Sequence, residues 1–236
     1  MKHKLLLTLL SLPLLFTSCI FSPTMKGNGN VVKEERELDA FDEIKASRGI
    51  NLYLTQGEAR ALVIEADENL VDVIETEVVG DELIIRSTAN VKNAKSFKVY
   101  VTAPEFEAIK ATAGCNIYSE NELSTDELEL KASAGSNIKL EINATTVNAS
   151  SSAGSNIKLE GLAEDFYGQA SSGSNIKAED LKAKKAEVKV SSGANIWIRS
   201  DKRLEAHASS GGNIFYAGNP AETDVHKSSG GNVIKM

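Results

Sequence analysis

The sequence predicts an all-β fold: a parallel β-helix of roughly 19-residue coils, with wider, irregular coils at its N-terminal end. Three observations lead there. The phrase Gly135-Ser136-Asn137-Ile138-Lys139-Leu140 returns as Gly154-Ser155-Asn156-Ile157-Lys158-Leu159 and as Gly173-Ser174-Asn175-Ile176-Lys177. Looser copies stand at Gly114-Cys115-Asn116-Ile117, Gly193-Ala194-Asn195-Ile196, Gly211-Gly212-Asn213-Ile214 and Gly230-Gly231-Asn232-Val233, so the glycines step by 21, 19, 19, 20, 18 and 19 residues. Between these turns apolar residues alternate with polar ones, the period of a strand with one buried face. A unit this short cannot enclose a core alone. Copies stacked about 4.8 Å apart share one, and six steps then span roughly 29 Å.

Each position in the repeat has a physical task. Small pairs precede the glycine (Thr112-Ala113, Ser133-Ala134, Ser152-Ala153, Ser171-Ser172, Ser191-Ser192, Ser209-Ser210, Ser228-Ser229), and the glycine supplies positive φ. The residue after Asn is β-branched in every copy (Ile117, Ile138, Ile157, Ile176, Ile196, Ile214, Val233) and is assigned inward. Two further apolar columns are expected, one of Leu123, Ile142, Leu162 and Leu181, the other of Leu130, Val147, Phe166, Val188 and Val225. The asparagines Asn116, Asn137, Asn156, Asn175, Asn195, Asn213 and Asn232, with Asn51 before them, are expected to bond amide to amide along the stack.

The chain begins with a segment outside the fold. Lys2 and Lys4 precede an apolar run from Leu5 to Phe16, too short for a membrane span. Phe16-Thr17-Ser18-Cys19 resembles a bacterial lipobox, so residues 1–18 are expected to be a lipoprotein signal peptide. Cys19 would then be the lipidated first residue and the membrane anchor. Residues 19–30, with Pro23 and Gly27-Asn28-Gly29-Asn30, read as a tether, and one domain is expected over 31–236, irregular to 105 and repetitive from 106. Without Lys2 and Lys4 the chain carries 24 basic against 33 acidic residues, a net −9 that argues against nucleic acid or anionic lipid headgroups as partners. Cys115 stands in the slot filled elsewhere by Ser136, Ser155, Ala194 or Gly212 and reads as a small filler.

Residues 41–52 match 106–117 position by position, Gly49 aligning with Gly114. An early coil therefore precedes an insertion. Inside the insertion we expect a strand at 61–65, a helical turn at 67–74, a hairpin of 75–79 with 83–86 around Gly80-Asp81, and a strand at 97–101 ended by Pro104.

Gly49-Ile50-Asn51, Val73-Ile74-Glu75-Thr76-Glu77, Val99-Tyr100-Val101-Thr102-Ala103-Pro104 and the Ser-Ser-Gly-x-Asn-Ile coils together resemble the head GIN domain family of autotransporter-adhesin proteins from Bacteroidetes-type bacteria. The resemblance covers nearly the whole chain after the leader. It implies a right-handed β-helix with tight glycine turns and an adhesive role, and it brings no catalytic or ligand residues with it.

Chemistry is sparse. Glu141, Glu160 and Glu179 are expected to stack, each two residues from Lys139, Lys158 or Lys177, as paired surface columns. His207 and His226 are expected to be neighbours in an outer polar column, two ligands where a metal site needs at least three. No nucleophile stands beside a positioned base, no phosphate loop opens a helix, and no cofactor is expected. Two residues after Asn the outward column changes from Lys139, Lys158 and Lys177 to Trp197, Phe215 and Ile234, a set that suggests an interface between copies of the chain. Two readings stay open: a lipid-anchored adhesion module with a glycan or protein ligand, and a structural protein associating through its C-terminal coils; a polysaccharide-active enzyme stands a distant third. Residues 20–33 lack the acidic stretch that usually follows the cysteine in surface-exposed Bacteroidetes lipoproteins. The cell surface and the periplasmic face of the outer membrane are therefore both open.

Overall fold

A computed structural model describes residues 23–236. The expected signal peptide, residues 1–18, and Cys19 lie outside the described residues. Among those described the fold is all strand apart from one short 3-10 turn, Glu68–Val73. The long strands Leu123–Ala132, Asn137–Ser151, Asn156–Ala170, Asn175–Val190 and Asn195–Ala208 stack in parallel, each pairing with its counterpart one repeat later.

The asparagines align in register, Asn51 with Asn116 and so on to Asn232. Alternation within a coil is interrupted once. Ile138, Leu140, Ile142 and Ala144 are buried, then Val147, Ala149 and Ser151, with Thr145 and Thr146 both outside. That two-residue skip is the corner between two walls: one follows the glycine turn, the other leads into the next.

The turns show why small residues precede each glycine. Both central residues have positive φ. It is 47–62° at Arg48, Ala113, Ala134, Ala153, Ser172, Ser192, Ser210 and Ser229, and 68–76° at Gly49, Gly114, Gly135, Gly154, Gly173, Gly193, Gly211 and Gly230. This is the left-handed pair of a type I′ turn, closed in the third coil by Ser136 N–H donating to Ser133 O at 3.2 Å. A non-glycine residue there costs roughly 1–2 kcal/mol. The cost is offset along the stack, where each turn glycine from Gly49 to Gly211 donates its N–H to the next turn's carbonyl, as Gly135 does to Ala153 at 3.1 Å.

The core is one continuous column, but the sequence misassigns parts of it. Leu123 and Ile142 are followed by Gly161 and then Leu181; Leu162 pairs with Asn143 and Lys182 on the outside and is 48% exposed. Gly161 adopts φ +114°, where a Cβ would lie 2.0 Å from Ile142 O, so only glycine fits this inner place. The second expected column is two columns. Leu128, Val147, Phe166, Ala186 and Leu204 form one, and Leu130, Ala149, Gly168, Val188 and Ala206 the other. Phe166 fills the space that Gly168 vacates, since a Cβ on Gly168 would meet Phe166 Cε1 at 2.7 Å.

The N-terminal part closes the stack. Glu43–Ser47 and Asn51–Gln56 are sandwiched. On one side lie Ala108–Thr112 and Asn116–Ser119; on the other lie Glu82–Ser87 and Phe97–Ala103 from the insertion. The insertion thus folds beneath the first coil rather than between coils. Antiparallel strands Ala61–Asp67, Val31–Arg36 and Ile74–Val79 finish the walls, and Arg36 ties them together by donating to Ile74 O at 2.6 Å. The tether expectation is corrected for residues 24–30. Thr24–Lys26 pairs with Asn90–Lys92, and the buried Asp67 carboxylate accepts from Gly29 N–H at 2.7 Å and from Lys95 and Ser96 N–H at 3.0 Å. Those donors, Ser96 first, hold the Asp67 carboxyl below its usual range.

Candidate ligand face

Three ladders run along the stack, and two are internal to it. Every asparagine from Asn116 to Asn232 donates its Nδ2 to the Oδ1 of the preceding coil's asparagine, at 2.8–3.0 Å. Each amide in mid-stack both gives and receives, so this column is committed to the rod. Beneath it, Ser136, Ser155 and Ser174 are fully buried and donate to Ala111, Ala132 and Ser151 carbonyls at 2.7–2.8 Å. Cys115 occupies the same slot with no exposure, and burial pushes its thiol up to about 11.

The third ladder is aromatic and lies on the wall after the turn. Tyr100, Tyr53 and Tyr118 stack with centroids 5.0 and 5.4 Å apart, then come Lys139, Lys158 and Lys177, then Trp197 on Phe215 at 5.2 Å and 11°. Lys177 Nζ lies 5.7 Å from the Trp197 ring centre. Trp197 and Phe215 are half-buried because each covers a face of the other or is covered by the lysine, and Ile234, at the end of the column, is 45% exposed. Rings piled this way show their edges outward, so their faces serve the stack.

The acidic column beside it differs from expectation at one coil. Glu141 pairs with Glu160, but a bulge after Lys158 brings Asp180, not Glu179, opposite Glu160. Lys158 bridges Glu160 at 2.9 Å and Asp180 at 3.6 Å, and its ammonium holds the Glu160 carboxyl low.

On the wall before the turn, three outward columns form a grid. Reading across successive coils, they are Glu127-Glu129-Lys131, Thr146-Asn148-Ser150, Asp165-Tyr167-Gln169, Lys185-Glu187-Lys189, Arg203-Glu205-His207 and Glu222-Asp224-His226. Ion pairs link Lys131 with Glu129 at 2.6 Å, Lys185 with Asp165 at 3.2 Å, Lys189 with Glu187 at 2.7 Å and Arg203 with Glu205 at 3.4 Å, and the His207 and His226 rings lie 3.0 and 3.2 Å from Glu205 and Asp224. The His207 hydrogen bond holds the Glu205 carboxyl below its usual range. The two imidazoles stack at 4.6 Å, and no group of three metal-binding side chains exists among the described residues.

Two depressions flank this grid. A groove of about 670 Å3 follows the turn edge past Ser150, Gln169, Lys189, His207 and His226, and one of about 150 Å3 lies at Asp165, Lys185, Glu187 and Arg203. Tyr167, 43% exposed, lines the smaller one and lies two residues along the strand from Gln169 in the larger. The sequence does not single it out, because Tyr167 lies on the wall before the turn, away from the repeated columns that follow Asn. The available signal was a column of Glu129, Asn148, Glu187, Glu205 and Asp224 in which one residue is aromatic.

At the far end the inner column ends in Lys227, opposite Ala208 and donating to Val233 O at 3.2 Å. An inward lysine on an outer strand opposes pairing with another strand.

Solved structures share this architecture. A "putative adhesin" from Bacteroides fragilis superposes with TM-score 0.83 at 23% identity, covering 90% of this chain and all of its own. A "putative adhesin" from Parabacteroides merdae gives 0.73 at 21%, over 91% and 99% of the two chains. A "putative lipid binding protein" from Parabacteroides distasonis gives 0.71 at 21%, over 90% and 99%. At these identities the likeness is one of fold. No curated protein matches the chain. Residues 40–220 match the family described as "Putative auto-transporter adhesin, head GIN domain", which is most of the stack and its N-terminal cap, and the chain belongs to that family.

Proposed function

We propose that the protein is a non-enzymatic adhesion module of the cell envelope, held to the outer membrane by lipid on Cys19 and meeting its ligand along the side of the rod. The observation that carries this reading is how the polar side chains are spent. The ladder amides are committed to the stack, and the carboxylates of Glu129, Glu160, Asp165 and Glu187 sit in ion pairs along regular columns, where a hydrolase or lyase needs carboxylates converging across a cleft. Family membership supports the adhesive role.

Attachment of cells to glycan-coated surfaces tests it, comparing wild type, a deletion strain and Cys19→Ala. Attachment should fall in both mutants. Equal attachment by the deletion strain overturns the role, and full attachment by Cys19→Ala overturns the anchor.

A second reading is self-association through the last coil. Val225, 37% exposed in a column that is buried elsewhere, and Ile234 favour it, and Lys227 opposes it. Sedimentation that is independent of concentration removes it.

A further inference from the structure

We propose that the Tyr167 patch on the wall before the turn is a binding site for a neutral, hydroxyl-rich saccharide. The inference rests on the adhesion reading and adds a place and a ligand class to it. It starts from the contrast among outward-facing aromatics. Tyr53, Tyr100, Tyr118, Trp197 and Phe215 are all in stacks, their faces used. Among the described residues Tyr167 makes no ring contact, and 43% of its surface meets solvent at the smaller depression, two residues along the strand from Gln169 in the larger groove. Its backbone is fixed by the core, since Phe166 on one side fills the volume that Gly168 on the other leaves open.

The neighbours define the ligand. Thr146, Asn148 and Ser150 on one coil and Gln169 on the next are uncharged and project from the same face. No hydrogen bond within the described residues uses the side chains of Ser150, Tyr167 or Gln169, and Asn148 spends one donor on Glu127 at 3.1 Å. Along a strand these side chains recur at about 7 Å, and between coils at about 4.8 Å. Planar amides at that spacing can each bond two neighbouring hydroxyls, while an aromatic face accepts the apolar C–H face of a pyranose.

Charge selects against an acidic sugar. The nearest cations, Lys185 and Lys189, are already paired with Asp165 and Glu187. An anionic sugar would share either ammonium with the carboxylate already on it, so the patch holds no unpaired cation that favours it over a neutral one. The groove past Ser150, Gln169, Lys189, His207 and His226 continues from the patch and gives an extended chain a path of about four coil spacings, roughly 19 Å.

The test titrates the full chain, solubilised in detergent, with hexasaccharides of β-linked neutral hexoses and with uronic-acid hexasaccharides. A neutral hexasaccharide should bind. Affinity should fall about tenfold in Tyr167→Ala and about threefold in Gln169→Ala, and change less than threefold in Tyr167→Phe. Trp197→Ala, on the other wall, should leave it unchanged. The Tyr167 and Gln169 variants should keep the wild-type melting temperature within about 2 °C, so that lost binding is not lost fold. Binding of no neutral saccharide, preference for the uronates, or unchanged affinity in Tyr167→Ala overturns the proposal. Cells carrying Tyr167→Ala separate the two readings: normal attachment of those cells, with attachment lost on deletion, removes the site and leaves adhesion standing.

Discussion

Replacing Asn156 by Ala removes two amide hydrogen bonds from the middle of the rod: the one it donates to Asn137 Oδ1 at 2.9 Å and the one it accepts from Asn175 Nδ2 at 2.9 Å. A hydrogen bond contributes about 0.5–1.5 kcal/mol net, which brackets the loss at about 1–3 kcal/mol. Both orphaned partners are only half-buried, so water satisfies part of each and the lower half of the range, about 1–2 kcal/mol, applies. For a domain of this size that is a melting shift of roughly 2–8 °C. Position supplies the control. Asn232 donates to Asn213 Oδ1 at 3.0 Å and to Gly230 O at 3.4 Å and is itself exposed, so Asn232→Ala loses only solvent-facing bonds that water replaces and should cost under about 1 kcal/mol. Asn156→Asp keeps the acceptor for Asn175 but sets a carboxylate against Asn137 Oδ1. Its folded pKa is then raised, and the variant should regain stability as pH falls towards that value. Thermal unfolding followed by circular dichroism reads all three. Equal melting of wild type and Asn156→Ala, or equal losses at positions 156 and 232, would refute the ladder as a source of stability.

Three further outcomes follow from local geometry. Gly154→Ala places its Cβ in open space at φ +71° and should cost only backbone strain, about 1 kcal/mol. Gly161→Ala drives a Cβ to 2.0 Å from Ile142 O and should cost more than about 3 kcal/mol, so thermal melts that rank the two the other way contradict the packing. Native protein should resist alkylation of Cys115, whose thiol burial pushes up to about 11, and should react fully in denaturant; rapid labelling of the native fold would contradict its place in the core. The Asp67 carboxyl is depressed by the Ser96, Gly29 and Lys95 N–H groups. Its contribution is therefore present above the unfolded value near 3.9 and is lost as pH falls through the lower folded one. Amides of residues 24–30 should lose exchange protection in that acid window ahead of the coils, and Asp67→Asn should lose the pH dependence.

The repeat was legible in the sequence because its signals are local. Glycine marks positive φ, Asn two residues later marks the ladder, and the β-branched residue after it marks the core. What escaped was decided between coils. Ala153 and Ser172 carry positive φ without being glycine, which a propensity reading does not assign, because bonds from neighbouring turns stabilise them. Leu162 looked inward by analogy with Ile142 and Leu181, yet the inner place goes to Gly161, and hydrophobicity alone does not show a slip of one residue. The bulge that replaces Glu179 by Asp180 is another such slip. Docking of residues 24–30 depends on Asp67, some 40 residues away, which no local pattern announces. Tyr167 was visible as a letter, but that it stands unstacked depends on the registers of its neighbours.

In-register stacking underlies every one of these statements, and pulsed electron-paramagnetic-resonance distances between spin labels on the exposed turns measure it. Labels pairing Ala113 with Ser192, and Ala113 with Ser229, are separated by four and six coils. At about 4.8 Å per coil the backbone separations should be roughly 19 and 29 Å, rising in proportion to the number of coils. Equal distances for the two pairs, or a six-coil distance shorter than the four-coil one, would contradict the stack.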